Sequence, residues 1–362
     1  MEKKINILTS GRFHVLDLAK ELIKEGYDVK FYSYVPPNRM RLYGLNKKNY
    51  TNLFFPLIPF LLFEKIFNRN YFFTKLKVKV LDWYCSRVMR ATDVTIAMSG
   101  LFVTSLKKAK KQNNIIIVER GSKHILEQKE ILENIPSLRS TIPVSDFDVN
   151  RELVSYSLAD YISIASKHVE KSFFKYGDYS GKLFINPYGV DLKDFYPIKK
   201  DKKYDVIMVG NWSYQKGVDL LWKACENMNL SLLHVGAKGD SDFPDNASFT
   251  HQDPVDQREL VEYYNQSRVL CLPSRQEGLA MVQAQAIACG LPIVCSMHTG
   301  GEDLKKILCN TKNIHVMDNY TIEDLQRKIL DALNTSHTEY KNLNKLSWEA
   351  YGKRYNEFLK NI

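Results

Sequence analysis

A carboxylate, a glycine next to it and an amide eight positions after the carboxylate are the residues of this chain best placed for chemistry: Glu277, Gly278 and Gln285. They stand in a stretch where a short apolar strand, Val269 to Leu272, gives way to Pro273-Ser274. A helix is then expected from about Leu279 to Cys289, stopped by Gly290 and Pro292. The start of such a helix is an anion site. Backbone N–H groups at Gly278, Leu279 and Ala280 would be unpaired there, the positive end of the helix dipole adds to them, and Gly278 lets a phosphate approach the backbone. Gln285 sits about five residues into the helix, roughly 7 Å along its axis, and its side chain leans back toward the N-terminus. It can therefore reach a group beside the phosphate, while Glu277 has access to whatever the phosphate carries on its other side. A buried crossover helix accounts for Ala284, Ala286, Ile287 and Ala288. It does not account for Pro-Ser ahead of Glu-Gly, nor for Gly300-Gly301-Glu302-Asp303 after the next strand, Pro292 to Ser296.

A second motif points to the same ligand. The strand Tyr204 to Val209 ends in Gly210-Asn211, and six residues after Gly210 comes Lys216-Gly217, opening another helix. Alone, such a lysine reads as a solvated surface residue; beside the first motif its ammonium suits a diphosphate. A third stretch, Asn186-Pro187-Tyr188-Gly189-Val190-Asp191-Leu192 through Phe195-Tyr196-Pro197, reads as a strand, a glycine turn and a polar linker, with the charged run Lys199 to Lys203 as an exposed connector between two lobes.

Together these stretches resemble the retaining glycosyltransferases of family 4 (group 1), through most of the chain. The resemblance implies an α/β protein of GT-B fold, two Rossmann-like doubly wound domains facing a central cleft. Residues 1–190 would form the acceptor-binding lobe, with a C-terminal helix about 347–362 packing back onto it, and 191–346 the nucleotide-sugar lobe. It implies sugar transfer with retention from a UDP or GDP donor to a saccharide or lipid-linked saccharide, with no separate cofactor, in bacterial surface polysaccharide synthesis (lipopolysaccharide or capsule). Lys216 would face the diphosphate, Glu277 the sugar, and Gln285 the ribose in place of the family's second glutamate. Asn211 stands where the family has an arginine; Arg275 is a candidate to supply that charge. A residue at the end of the strand Ile115 to Val118, either Arg120 or His124, would contact the sugar. The loop holding Gly11, with Arg12 and His14, would cover the diphosphate or approach the acceptor. No metal is expected, because no Asp-x-Asp is placed to hold one between strand and loop. Competing readings are a nucleotide-sugar epimerase on the same architecture and an inactive membrane-peripheral or glycan-binding protein.

With 362 residues and 44% hydrophobic content, the chain can bury two sizeable cores. Its six scattered cysteines lack metal-ligand spacing and read as reduced core residues of a cytosolic protein, and the N-terminus does not read as a signal peptide. The net charge of +10 is accompanied by no nucleic-acid motif. Basic residues cluster instead around Lys65 to Arg90 and Lys107 to Lys111, near the apolar run Leu53 to Phe63. That run is too short and too proline-broken to cross a bilayer. Two readings stand side by side: it dips into an anionic membrane surface, with Lys65, Arg69, Lys75, Lys77 and Lys79 as flanks, or it packs on the N-terminal sheet.

The elements that must position these residues alternate as strand and helix. Ile5 to Leu8, a helix to Glu25 and Val29 to Tyr34 form a βαβ unit. Val94 to Ala97 and Ile115 to Val118 bracket a helix from about Leu101 to Lys111, and the second of these strands ends in the polar run Glu119 to His124. A helix from about Asn150 to Leu158 precedes the strand Ala159 to Ser166, whose terminal serine is expected to cap the next helix. Trp348, Tyr351, Tyr355 and Phe358 recur at helical spacing and read as a core stripe.

Overall fold

The computed structural model describes residues 3–66, 71–138, 144–335 and 340–362, and for Glu64 and Lys65 the backbone alone. In the first half the elements are β1 (Lys4–Leu8), α1 (Phe13–Lys24), β2 (Asp28–Ser33), α2 (Pro37–Leu42), β3 (Tyr50–Asn52), α3 (Ile58–Ile66) and α4 (Tyr71–Val88). They continue as β4 (Val94–Met98), α5 (Val103–Lys111), β5 (Ile115–Arg120), α6 (Ile125–Glu133), α7 (Asp146–Leu158), β6 (Tyr161–Ile164), α8 (Lys167–Phe174) and β7 (Leu183–Ile185). The second half holds β8 (Tyr204–Val209), α9 (Val218–Asn227), β9 (Leu232–Val235), β10 (Phe249–Gln252), α10 (Leu260–Asn265), β11 (Ser267–Leu272) and α11 (Met281–Ala288). It ends with β12 (Ile293–Cys295), α12 (Gly301–Leu308), β13 (Ile314–Val316), α13 (Ile322–Leu333) and α14 (Trp348–Lys360).

Two parallel sheets result, ordered β3-β2-β1-β4-β5-β6-β7 and β10-β9-β8-β11-β12-β13. Central strands such as β5, Ile-Ile-Ile-Val, are apolar on both faces because helices cover both sides. In each sheet the chain order runs outward in opposite directions from one pair of neighbours, β1 and β4 in the first and β8 and β11 in the second. Each such junction leaves a crevice beyond the carboxyl ends of its strands, where doubly wound sheets hold ligands.

The chain passes between the sheets at Val190 and again at Ser347, and the two passages pair side by side, Val190 N donating to Leu346 O at 2.7 Å. After the second, α14 is capped by Ser347 and lies on α1 with Tyr351, Tyr355 and Leu359 buried. The contact is close: a Cβ at Gly352 would meet Glu21 Cβ at 2.3 Å. Tyr355 donates to Glu119 at 2.7 Å, tying the last helix to the end of β5.

Three local differences from the sequence reading have physical causes. Helix α7 starts at Asp146 rather than near Asn150, because Ser145 and Asp148 form a reciprocal capping box. Helix α11 starts at Met281, two residues later than expected, since Leu279 and Ala280 are drawn into the approach from the preceding loop. The apolar run packs only in part: Leu53 and Leu57 are buried, whereas Phe54, Phe55, Ile58, Leu62 and Phe63 are exposed. Arg69, one of its expected basic flanks, lies outside the described residues. Among the described residues no helix is long and apolar enough to cross a membrane. Five of the six cysteines are buried and Cys309 is exposed.

Candidate active site

The carboxyl ends of the two sheets meet. At the β8/β11 junction the loop after β8 forms a single 3₁₀ turn, Tyr214–Lys216, and then Gly217 in the left-handed region at φ 71°. No other residue fits that position, since a Cβ there would stand 2.0 Å from Pro273 O in the loop after β11. Packed this way, the two loops bring Lys216 and Glu277 into an ion pair at the mouth of the crevice, both side chains partly exposed. Glu277 and Lys216 were read separately from the sequence; the structure places them in contact.

Beyond Glu277 the chain enters α11. Ala280 occupies the N-cap position with no side-chain cap, and the first helical residues are Met281 and Val282. Gly278, Leu279 and Ala280 are therefore the approach to the helix rather than its first turn. Glu277 N donates to His298 O at 3.0 Å, and Gln283 N turns back on Ala280 O at 3.0 Å, so the outermost helical N–H groups are those of Met281 and Val282. Gln285 lies further down the helix and is buried; its Oε1 accepts a bond from Tyr264 of α10 at 3.0 Å.

The first half of the chain grips this same loop. Ser166, expected to cap α8, makes no cap bond and instead donates to Gly278 O at 2.8 Å. His168 Nε2 donates to Glu277 O at 2.8 Å, and Asp303 at the start of α12 accepts from Lys167 N at 2.9 Å. Ser122 pairs with Gln276, and a Cβ at Gly278 would lie 2.2 Å from Gly121 O. The contacts of Ser122, Ser166 and His168 across the cleft escaped the sequence reading. The signal was the one that drew attention to Glu119 to His124, polar residues clustered at the carboxyl end of a strand.

Arg120 and His124 do not face the cleft. Arg120 is buried beneath α7, paired with Glu152 at 2.8 Å, and donates to Lys123 O at 2.9 and 2.6 Å. The carbonyl of Lys123 and the carboxylate of Glu152 consume its fork. His124 is the N-cap of α6, its Nδ1 accepting from Leu126 N at 3.3 Å, and its ring stacks on Tyr176 with centroids 4.9 Å apart. Burial, then the neighbouring Arg120, pushes its pKa down to about 4, so it is neutral and structural. Arg275 is likewise spent: both its terminal nitrogens reach the Asp219 carboxylate at 2.7 Å, and it does not supply the charge missing at Asn211, which is exposed.

The β1–α1 loop closes the cleft from the other lobe. Gly11 sits under the Ser33 hydroxyl, which reaches its carbonyl at 3.4 Å, and Arg12 lies over the Tyr43 ring and extends to Gln257 across the cleft at 3.4 Å. His14 is buried behind this loop against Glu119 at 3.0 Å, its ring 4.4 Å from that of Tyr188. A cavity of about 400 Å³ flanks the site; Lys123, Glu127, Glu130 and Ile131 line it from the first half, Arg275, His298 and Tyr320 from the second. The chain does contain two Asp-x-Asp triplets, and both are used structurally. Asp146 and Asp148 open α7, and Asp240 accepts from Tyr214 N at 2.8 Å. Among the described residues no three His, Cys, Asp or Glu side chains come together as a metal set.

Known proteins resemble the chain in part of its sequence and in its whole fold. In alignments of 135 residues each, the chain is 27% identical to an uncharacterized glycosyltransferase of Methanocaldococcus jannaschii and 26% identical to an uncharacterized 41.2 kDa protein in the cps region of Klebsiella pneumoniae. These alignments cover 35% and 33% of this chain, and the chain spans 38% of the length of each relative. Across its whole length the fold matches that of Anabaena HepE in complex with UDP-glucose, with a TM-score of 0.69 at 12% identity and 100% of both chains covered. The two facing doubly wound lobes are the GT-B arrangement. Residues 191–351, which contain Lys216, Glu277 and Gln285, match the family model described as Glycosyl transferases group 1, so the likeness to that family lies in the second half of the chain.

Proposed function

We propose that the protein transfers a sugar, with retention, from a UDP- or GDP-linked donor to a hydroxyl of a saccharide or lipid-linked saccharide. The observation that carries this reading is the meeting of Lys216 and Glu277 at the β8/β11 junction, beside the uncapped start of α11. A diphosphate seated there offers Lys216 several anionic oxygens in place of one carboxylate, and the N–H groups of Met281 and Val282 add the helix dipole. Charge that develops on the leaving diphosphate is then stabilised by groups already in place. Glu277, released from Lys216, accepts from hydroxyls of the sugar. Gln285 has its oxygen held by Tyr264, which leaves the NH₂ as the group for a ribose hydroxyl.

The step forms a bond between the acceptor oxygen and the anomeric carbon and breaks the bond from that carbon to the diphosphate; the acceptor proton passes to the departing phosphate. On the retained face the phosphate itself is the base, so no side chain is required as a nucleophile. Cleft closure over the Glu277–Gly278 peptide excludes water, which would otherwise compete with the acceptor. The named location of the Klebsiella pneumoniae relative in a cps region supports a role in bacterial surface polysaccharide synthesis.

A panel of UDP and GDP sugars with a pooled saccharide acceptor, followed by mass spectrometry, tests the reading. Transfer is expected with one donor, and Lys216→Ala should lower it by about 10²-fold or more with the fold retained. Failure of every donor to release nucleotide would overturn the proposal. Net isomerisation of the donor sugar without transfer would identify an epimerase instead.

A further inference from the structure

We infer that the outer face of α3 and α4 seats the protein on an anionic lipid surface, a contact that does not depend on the transfer chemistry. Four large apolar side chains on these helices and the turn just before α3 are exposed: Phe55 of the turn is 81% exposed, Leu62 and Ile66 of α3 55% and 69%, and Phe72 of α4 65%. Scattered apolar residues are ordinary on a protein surface, but several drawn from two packed helices and the turn that packs on both mark an interaction site. The same run's other half, Leu53 and Leu57, is buried, which anchors the exposed half to the lobe.

Charge identifies the occupant. Between Arg39 and Arg90 the sequence carries eleven lysines and arginines against two acids, so nearly all of the net +10 of the chain resides in this one segment. One of the two acids, Asp82, is buried and paired with Arg151 at 2.8 Å, so it does not offset the surface charge. A second copy of the chain docking on this face would set like charges against each other across the symmetry axis. A negatively charged bilayer surface accepts both features at once: aromatic and aliphatic side chains enter the headgroup boundary while lysines remain at the anionic phosphates. Helix α3, nine residues long with Pro59 in its first turn, is far too short to span and suits lying in the interface.

Co-sedimentation of the full chain with vesicles of phosphatidylcholine alone, or with about a third phosphatidylglycerol, tests this. The chain should pellet with the anionic vesicles, bind the neutral ones weakly, and be partly released by salt. Phe55→Ser with Ile66→Ser and Phe72→Ser should weaken partitioning by more than about tenfold, and Lys75→Glu with Lys79→Glu should remove the preference for phosphatidylglycerol by roughly tenfold or more. These positions are exposed or half-exposed, so unchanged melting temperatures confirm that the variants fold. Nucleotide release in lipid-free solution should be unaffected, which separates failure here from failure of the donor reading. The proposal is overturned if the chain stays in the supernatant with anionic vesicles or if neither variant alters binding. A concentration-dependent dimer abolished by the apolar variant, without vesicle binding, would replace the lipid by a second copy.

Discussion

Ser166, at the carboxyl end of β6, donates its hydroxyl proton across the cleft to the carbonyl of Gly278 at 2.8 Å. Two residues later His168 Nε2 donates to the carbonyl of Glu277, also at 2.8 Å, while its Nδ1 lies 2.9 Å from Ser166 Oγ and 3.9 Å from Asp303. The single Ser166 proton is committed to Gly278. All three bonds are therefore made together only when both ring nitrogens of His168 carry protons. The peptide held in this way joins the residue that pairs with Lys216 to the glycine that opens the path to α11. The first lobe thus shapes the loop through which the second lobe would grip a diphosphate.

Removing the clasp should slow turnover more than it destabilises the fold. Ser166→Ala and His168→Ala each delete a bond worth about 0.5–1.5 kcal/mol, so each should lower kcat/KM by up to about tenfold. Both bonds join the lobes at the cleft and lie outside the hydrophobic clusters, so the melting temperature should change little. Steady-state kinetics with the donor varied gives the answer. Wild-type values in both variants would mean that closure does not use these contacts.

At Gly278 the backbones of the two lobes approach each other closely. An added Cβ would stand 2.2 Å from Gly121 O, a backbone atom that cannot swing aside. Gly278→Ala should therefore leave each lobe folded and hold the cleft ajar. We expect an increased radius of gyration by small-angle scattering and transfer reduced by about 10²-fold, in line with the sensitivity of such sites to ångström-scale misplacement. A variant as compact and active as wild type would show that the lobes open and close without this contact.

Much of the fold was legible because its signals are local. Runs such as Ile115 to Val118 announce buried strands, and Gly290 and Pro292 announce the end of α11 whatever the rest of the chain does. The site failed to be legible where roles depend on partners distant in sequence. Arg120 and His124 share their strand end with Ser122, yet they turn inward because Glu152 lies 32 residues away and Tyr176 52 residues away. Arg275 looked free until Asp219 met it, and Ser166 looked like a cap until Gly278 took its proton. Capping is a contest between acceptors, and only the tertiary structure shows which one wins.

Gln285 separates a ribose ligand from a purely structural amide. Its Oε1 accepts from the buried Tyr264 hydroxyl; a carboxylate can accept the same bond while its other oxygen accepts from the ribose hydroxyl that the NH₂ would have served, so Gln285→Glu should fold and keep its donor KM within a few-fold of wild type. Gln285→Leu strands the Tyr264 hydroxyl in the core at a cost of about 1–3 kcal/mol, which should lower the melting temperature by several degrees. Calorimetry with UDP and GDP completes the comparison. If Gln285→Leu, measured below its melting temperature, binds UDP and GDP as tightly as wild type, the ribose contact assigned to this position is wrong.

Stability should fall in mild acid, and three histidines set the window. Burial pushes His124, His234 and His298 down to about 4, aided by Arg120 at the first, His251 at the second and Lys123 at the third. In the unfolded chain each would titrate near 6.5. Between these values the unfolded state binds protons that the native state does not, so stability rises with pH through that interval. It is complete above about 6.5 and is lost progressively as pH falls toward 4. Melting temperatures measured from pH 8 to pH 4 at constant ionic strength should be level at first and decline below about pH 6.5. His124→Asn keeps a side-chain acceptor for Leu126 N but does not titrate. It should melt lower at pH 7.5, having lost its stacking on Tyr176, and show a shallower decline in acid. An unchanged slope in that variant would place the acid-sensitive proton uptake at other groups.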